Sequence, residues 1–189
     1  MTRLFAVLAV LLSILLLATF GVGWWSFFIP VENAELKKDI FLTHFYLGLT
    51  TAIVGLLVHC LIFTYFLGTG RWVKEVGIAY KLKDADLPKT TRELKRRVFP
   101  AALYAMLICI VTAAAGAGAQ LQAWHWSVHA VLAVFTLLIN FWAFRVEFAC
   151  LSENSQVLVA VLDEVDRIRA EMGLVSNAEA LAEQAGDDR

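Results

Sequence analysis

Four stretches of this chain are each long and apolar enough to cross a bilayer, which fixes most of what it can fold into. A hydrocarbon core about 30 Å thick calls for about 20 apolar residues in a helix, because every backbone amide must find its partner within the segment. Leu4–Ile29, Ile40–Leu67, Val98–Ala119 and Ala123–Cys150 meet that requirement. The first ends at Pro30, which cannot donate to a helical ladder. Its 26 residues exceed the apolar core of a signal peptide, which is about 7 to 15 residues, so it reads as a retained span. The fourth carries Arg145 and Glu147 near its far end, where a long side chain reaches the headgroups. With 60% of residues hydrophobic and only 17% charged, a soluble domain of ordinary composition is excluded. The expected fold is all-α: a four-helix membrane bundle over residues 1–150, followed at 151–189 by a cytoplasmic amphipathic helix and a mobile tail.

Charge gives the direction of the spans. The segment Gly68–Arg97 holds nine of the sixteen basic residues: Arg71, Lys74, Lys81, Lys83, Lys89, Arg92, Lys95, Arg96 and Arg97. It reads as a cytoplasmic loop beside anionic lipid, which puts both termini in the cytoplasm of a cell or inner membrane. Trp24, Trp25, Trp124 and Trp126 then form the outer aromatic belt. Four acids are interspersed in the basic segment, and only Trp72 and Tyr80 offer a stacking surface, so nucleic acid is not an expected partner. Cys60, Cys109 and Cys150 show no C-x-x-C spacing and imply neither a disulfide framework nor a zinc knuckle.

Polar residues inside the spans fall into stripes. Steps of three or four return to one helix face, and His44, Gly48, Thr51, Gly55 and His59 follow steps of 4, 3, 4 and 4. In the fourth span His129, Thr136, Asn140 and Glu147 align in the same way, with His125 one turn before His129. Both spans run from outside to inside, and counting at about 1.5 Å per residue puts His44 near the level of His129 and His59 near that of Asn140. Intramembrane ionisable groups are costly and mark functional sites, although histidine and asparagine also serve as ordinary interhelical hydrogen-bond partners.

The stripes support three readings. In the first, His44 and His129 are axial ligands of one haem b for electron transfer, with Gly48 supplying room beside the ring. This arrangement resembles membrane b-type cytochromes in architecture, and the lack of a histidine opposite His59 argues against a second haem. A porphyrin needs about 10 to 14 Å between the opposed histidine backbones. In the second, His44, His125 and His129 hold a divalent metal, while His59, Asn140 and Glu147 carry protons. No internal repeat is visible in the sequence, so an alternating-access transporter is not indicated. In the third, the chain is an oligomerising or accessory subunit. Leu151, Asn154, Leu158, Val161, Val165, Ile168 and Met172 form an a/d seam of three heptads, suited to a homo-oligomer or larger membrane complex through 151–172, or to folding back on the basic segment. Asp163, Glu164, Asp166 and Glu171 would complement the basic residues in the folded-back arrangement. Phosphate-binding loops, H-E-x-x-H and nucleophile elbows are absent from the sequence, so an independent enzyme is not expected.

Overall fold

The computed structural model of the protein describes residues 1–30, 32–82, 86–180 and 182; Lys83 of the basic segment and the tail beyond residue 182 lie outside them. Four helices make up the fold: α1 (Thr2–Trp25), α2 (Ala34–Ala79), α3 (Asp86–Gln120) and α4 (Trp126–Glu171), with a single 3₁₀ turn at Ser26–Phe28 after α1. All four are long and apolar enough to cross a membrane. They stand in a square in which α1 packs on α2, α2 on α3, α3 on α4 and α4 on α1, so that α2 and α4 face each other across the diagonal.

The bundle is apolar on its surface as well as in its core, with a few polar side chains buried among the apolar ones. Val7, Val10, Ile14, Leu57, Leu138 and Phe135 lie at least half exposed on its outside, whereas Thr51, His59, Asn140 and Glu147 are buried within. That distribution is the one a bilayer favours: an apolar side chain costs nothing against acyl tails, while a polar one is better paired inside. The four expected tryptophans gather at the end with the two short turns, where Phe27 packs on Trp24 and, with ring centroids 4.6 Å apart, on Trp126.

At the opposite end the structure departs from the expected loop. Residues 68–97 are helical up to Ala79 and again from Asp86, because hydropathy marks the edge of a membrane and not the end of a helix. α2 closes in a Schellman turn, Leu82 donating to the Gly77 carbonyl and Lys81 to that of Ile78, with Lys81 at φ 49°. α3 continues through Pro100 into its span. These extensions of α2 and α3 lie along the extension of α4, where Val73, Val157, Val161 and Val165 form a buried cluster flanked by Val76, Tyr80, Leu87 and Leu158. The seam is therefore covered within the chain: Leu151, Asn154, Val161 and Val165 are buried, Leu158 and Ile168 are half-buried, and its last residue, Met172, is exposed.

Ion pairs of these extensions run both between helices and along α4. Arg97 bonds Glu153 across the α3–α4 contact, but Arg167 spends its charge along α4 on Glu164 and Glu171, and Asp166 accepts from the Asn177 amide. Those carboxylates hold the Arg167 guanidinium above its usual range. Beyond α4, Ser176 and Glu179 form a capping box for a short helical turn. Val161→Asp buries an uncompensated carboxylate among three valines and is expected to cost about 3 kcal/mol. Hydrogen exchange of the purified protein should then accelerate over 73–80 and 157–171 and stay slow in the spans; unaltered exchange there would show that the seam is not packed in this way.

Candidate functional site

Two polar layers sit on the diagonal between α2 and α4. In the layer nearer the short turns, His44 and His129 approach with ring centroids 5.9 Å apart and planes at 80°. Neither ring bonds the other. Instead, His44 Nδ1 donates to the carbonyl of Thr19 on α1 at 3.1 Å, and His129 Nδ1 to that of Thr112 on α3 at 3.0 Å. A carbonyl oxygen can only accept, so Nδ1 of each ring carries its proton, and in the neutral imidazole Nε2 keeps a free lone pair. Two half-buried imidazoles are thus clamped by backbone and left with one basic nitrogen each.

The contacts around the two rings recur at fixed spacing. Thr19 and Thr51 share a hydroxyl hydrogen bond of 2.7 Å, and so do Thr112 and Thr136. Thr51 also donates to the Leu47 carbonyl, and Thr136 to that of Leu132. A Cβ on Gly23 would lie 2.7 Å from His44 Cε1, and one on Gly116 would lie 2.9 Å from His129 Cε1. The pattern T-x-x-x-G on α1 and α3, followed by H-x-x-L-x-x-x-T on α2 and α4, therefore occurs twice: 85 residues separate His44 from His129 and Thr51 from Thr136, and 93 separate Thr19 from Thr112 and Gly23 from Gly116. The chain is built of two matching helix hairpins, each contributing one histidine. This corrects the expectation that no internal repeat exists; the signal is only five residues per half, split between two helices by connections of unequal length.

The second layer is fully buried. His59 Nδ1 lies 2.7 Å from Glu147 Oε1, and its Nε2 lies 3.1 Å from Asn140 Oδ1. Asn140 Nδ2 donates to the Thr136 carbonyl at 2.8 Å and lies 3.5 Å from Cys109 Sγ. Phe144 stacks on the imidazole, its centroid 5.7 Å away. Further along, Asn154 Nδ2 donates to Tyr65 Oη and Thr69 Oγ1.

The two expected stripes do meet, but not every residue singled out from the sequence joins them. Gly48 touches neither ring; a Cβ there would have only Thr19 Cγ2 as a neighbour, at 3.6 Å. The residues that make way for the imidazoles are Gly23 and Gly116, on the helices that carry no histidine. His125 is exposed and caps α4, its Nδ1 accepting from the Ser127 amide, and so stands apart from His44 and His129. Among the described residues no three His, Cys, Asp or Glu side chains come together as a metal-holding group. No family model, curated protein or solved structure matches the chain.

Adding a methyl group in front of a clamped ring amounts to overpacking, which costs about 1 to 3 kcal/mol. Gly23→Ala and Gly116→Ala are therefore expected to lower the melting temperature of the solubilised protein by similar amounts, with Gly48→Ala close to wild type. A Gly48→Ala loss as large as the other two would contradict this placement of the rings.

Proposed function

We propose that the protein is a membrane electron-transfer subunit that holds one haem b between His44 and His129. The supporting observation is the number of available ligands. A bare metal ion of the kind imidazole prefers takes four or more donors, and this site offers two; a porphyrin brings four in-plane nitrogens and asks the protein for two axial ones. Metal–nitrogen bonds of about 2 Å, added to a ring radius of about 1.1 Å, would put the centroids of two imidazoles sharing one iron about 6.2 Å apart. The 5.9 Å between centroids is close to that figure.

Each proposed ligand also has the supporting hydrogen bond such a ligand needs, Nδ1–H to a backbone carbonyl, which fixes its tautomer and orientation. Held by His44 and His129, such a haem would supply the passage of single electrons. In this reading the basic extensions lie in the cytoplasm against anionic lipid. Docking to a second copy or a larger complex would use the face of α4 turned away from its covered seam, where Val159 and Leu162 are exposed.

The absorbance spectrum of the purified protein, oxidised and reduced, tests the proposal. A Soret band that shifts on reduction is expected, lost to the same extent in His44→Ala and His129→Ala and retained in His125→Ala. A colourless protein that also lacks bound metal by elemental analysis would leave a membrane scaffold without a cofactor.

A further inference from the structure

The layer built on His59 departs from the repeat that generates the His44–His129 pair. Applying the same spacings, the counterparts of His59, Glu147, Asn140 and Cys109 are Phe144, Ile62, Gly55 and Leu16, all of them apolar or small. Each polar member of this layer thus occurs in one half only. The matching spacing covers the first layer and not the second, which requires a separate explanation.

Hydrogen-bond counting shows what the second layer holds. Asn140 Nδ2 points at a carbonyl, which can only accept, so the amide is fixed with Oδ1 toward His59. His59 Nε2 must then carry a proton. Between His59 Nδ1 and Glu147 Oε1, 2.7 Å apart, there must be one more; without it two lone pairs would face each other. That proton resides on the imidazole of an ion pair or on the carboxyl of a neutral pair, and in both cases the pair is neutral overall. This suits a site with no exposure, where an unpaired charge is strongly disfavoured. Glu147 Oε2 is also buried and has no hydrogen-bond partner among the described residues. Two turns along the same face of α4, about 10.5 Å by helical rise, Asn154 Oδ1 is in the same condition.

We infer that His59 and Glu147 form a proton-binding site inside the bundle, which exchanges one proton with water at the end bearing the helical extensions, by way of Asn154, Tyr65 and Thr69. The ligand is the proton itself, and the two unpartnered oxygens mark the route. The titratable groups facing the pair are few. Cys109 approaches from α3 through Asn140, and Cys150 is buried on the next turn of α4. From α1 apolar side chains such as Phe5 and Leu12 reach this level. Among the described residues no second ionisable group is positioned to neutralise the pair should its proton leave, so the proton count sets the charge of the whole layer.

This site does not depend on the haem proposal, and its test uses no haem signal. The full-length protein in lipid nanodiscs, with nitrogen-15-labelled histidine, is followed by infrared and NMR spectroscopy after transfer into deuterium oxide. The expected result is one proton on the His59–Glu147 pair, seen as a carboxylic acid carbonyl band or as a doubly protonated imidazole, replaced by deuterium. Glu147→Gln should abolish that signal, and Asn154→Leu should slow its exchange at least tenfold, with Tyr65→Phe taking its place if that variant does not fold. A neutral His59 beside an ionised Glu147 overturns the inference, as does a proton that never exchanges; an exchange rate unchanged in the route variants overturns the route. Should Glu147→Gln fail to fold, the wild-type spectra decide the proton count alone.

Discussion

Everything in this bundle follows from an outer surface that offers no hydrogen bonds. A polar side chain on a helix of this kind bonds its own helix's carbonyls or another helix, and cross-helix bonds are made along one diagonal, between α2 and α4 and their neighbours. Thr19 and Thr51, Thr112 and Thr136, His59 with Asn140 and Glu147, and Asn154 with Tyr65 and Thr69 are all bonded across helices. Such bonds contribute modestly each, about 0.6 kcal/mol on average in membranes, but they fix the rotation of every helix about its own axis. Apolar packing alone tolerates slippage; a buried carboxylate facing an imidazole does not.

Two hairpins of matching design explain why the first polar layer is symmetric in its contacts. In each, a carbonyl on the first helix orients the histidine of the second, a threonine pair ties the two helices one to two turns deeper, and a glycine one turn the other way clears space for the ring. Placed face to face, two such hairpins produce a pair of opposed imidazoles. The second layer does not follow this symmetry: histidine, asparagine and glutamate each appear there once. A single chain thereby carries one histidine pair that is symmetric in its contacts and, some turns away, a histidine–glutamate pair that is not.

Much of this is legible from the sequence, and the parts that are not share a cause. The spans, their number and the alignment of His44 with His129 and of His59 with Asn140 and Glu147 follow from helical periodicity and depth, which are properties of one helix or of two at a common level. Gly48 lies on the histidine's own stripe and is the neighbour that spacing suggests for the ring, yet the glycines that touch the rings belong to α1 and α3, and no periodicity within α2 or α4 points to them. His125 aligns with His129 by spacing but begins its helix, where a side chain turns back to the backbone amides. The helical extensions escape a hydropathy reading because a run of charged residues ends a span without ending a helix.

The sequence by itself determined that four helices form, that polar groups stripe two of them, and that a heptad seam extends one of those beyond the apolar zone, since backbone satisfaction and side-chain periodicity are local matters. Only the tertiary structure decided which faces meet. Diagonal placement of α2 and α4 put the histidine pair at the centre of the bundle, the folding back of α2 and α3 covered the seam from within, and the pairing of equivalent helices revealed a repeat too short to see along the chain. Those outcomes depend on how whole helices fill the space between one another, a quantity that no single stretch of residues contains.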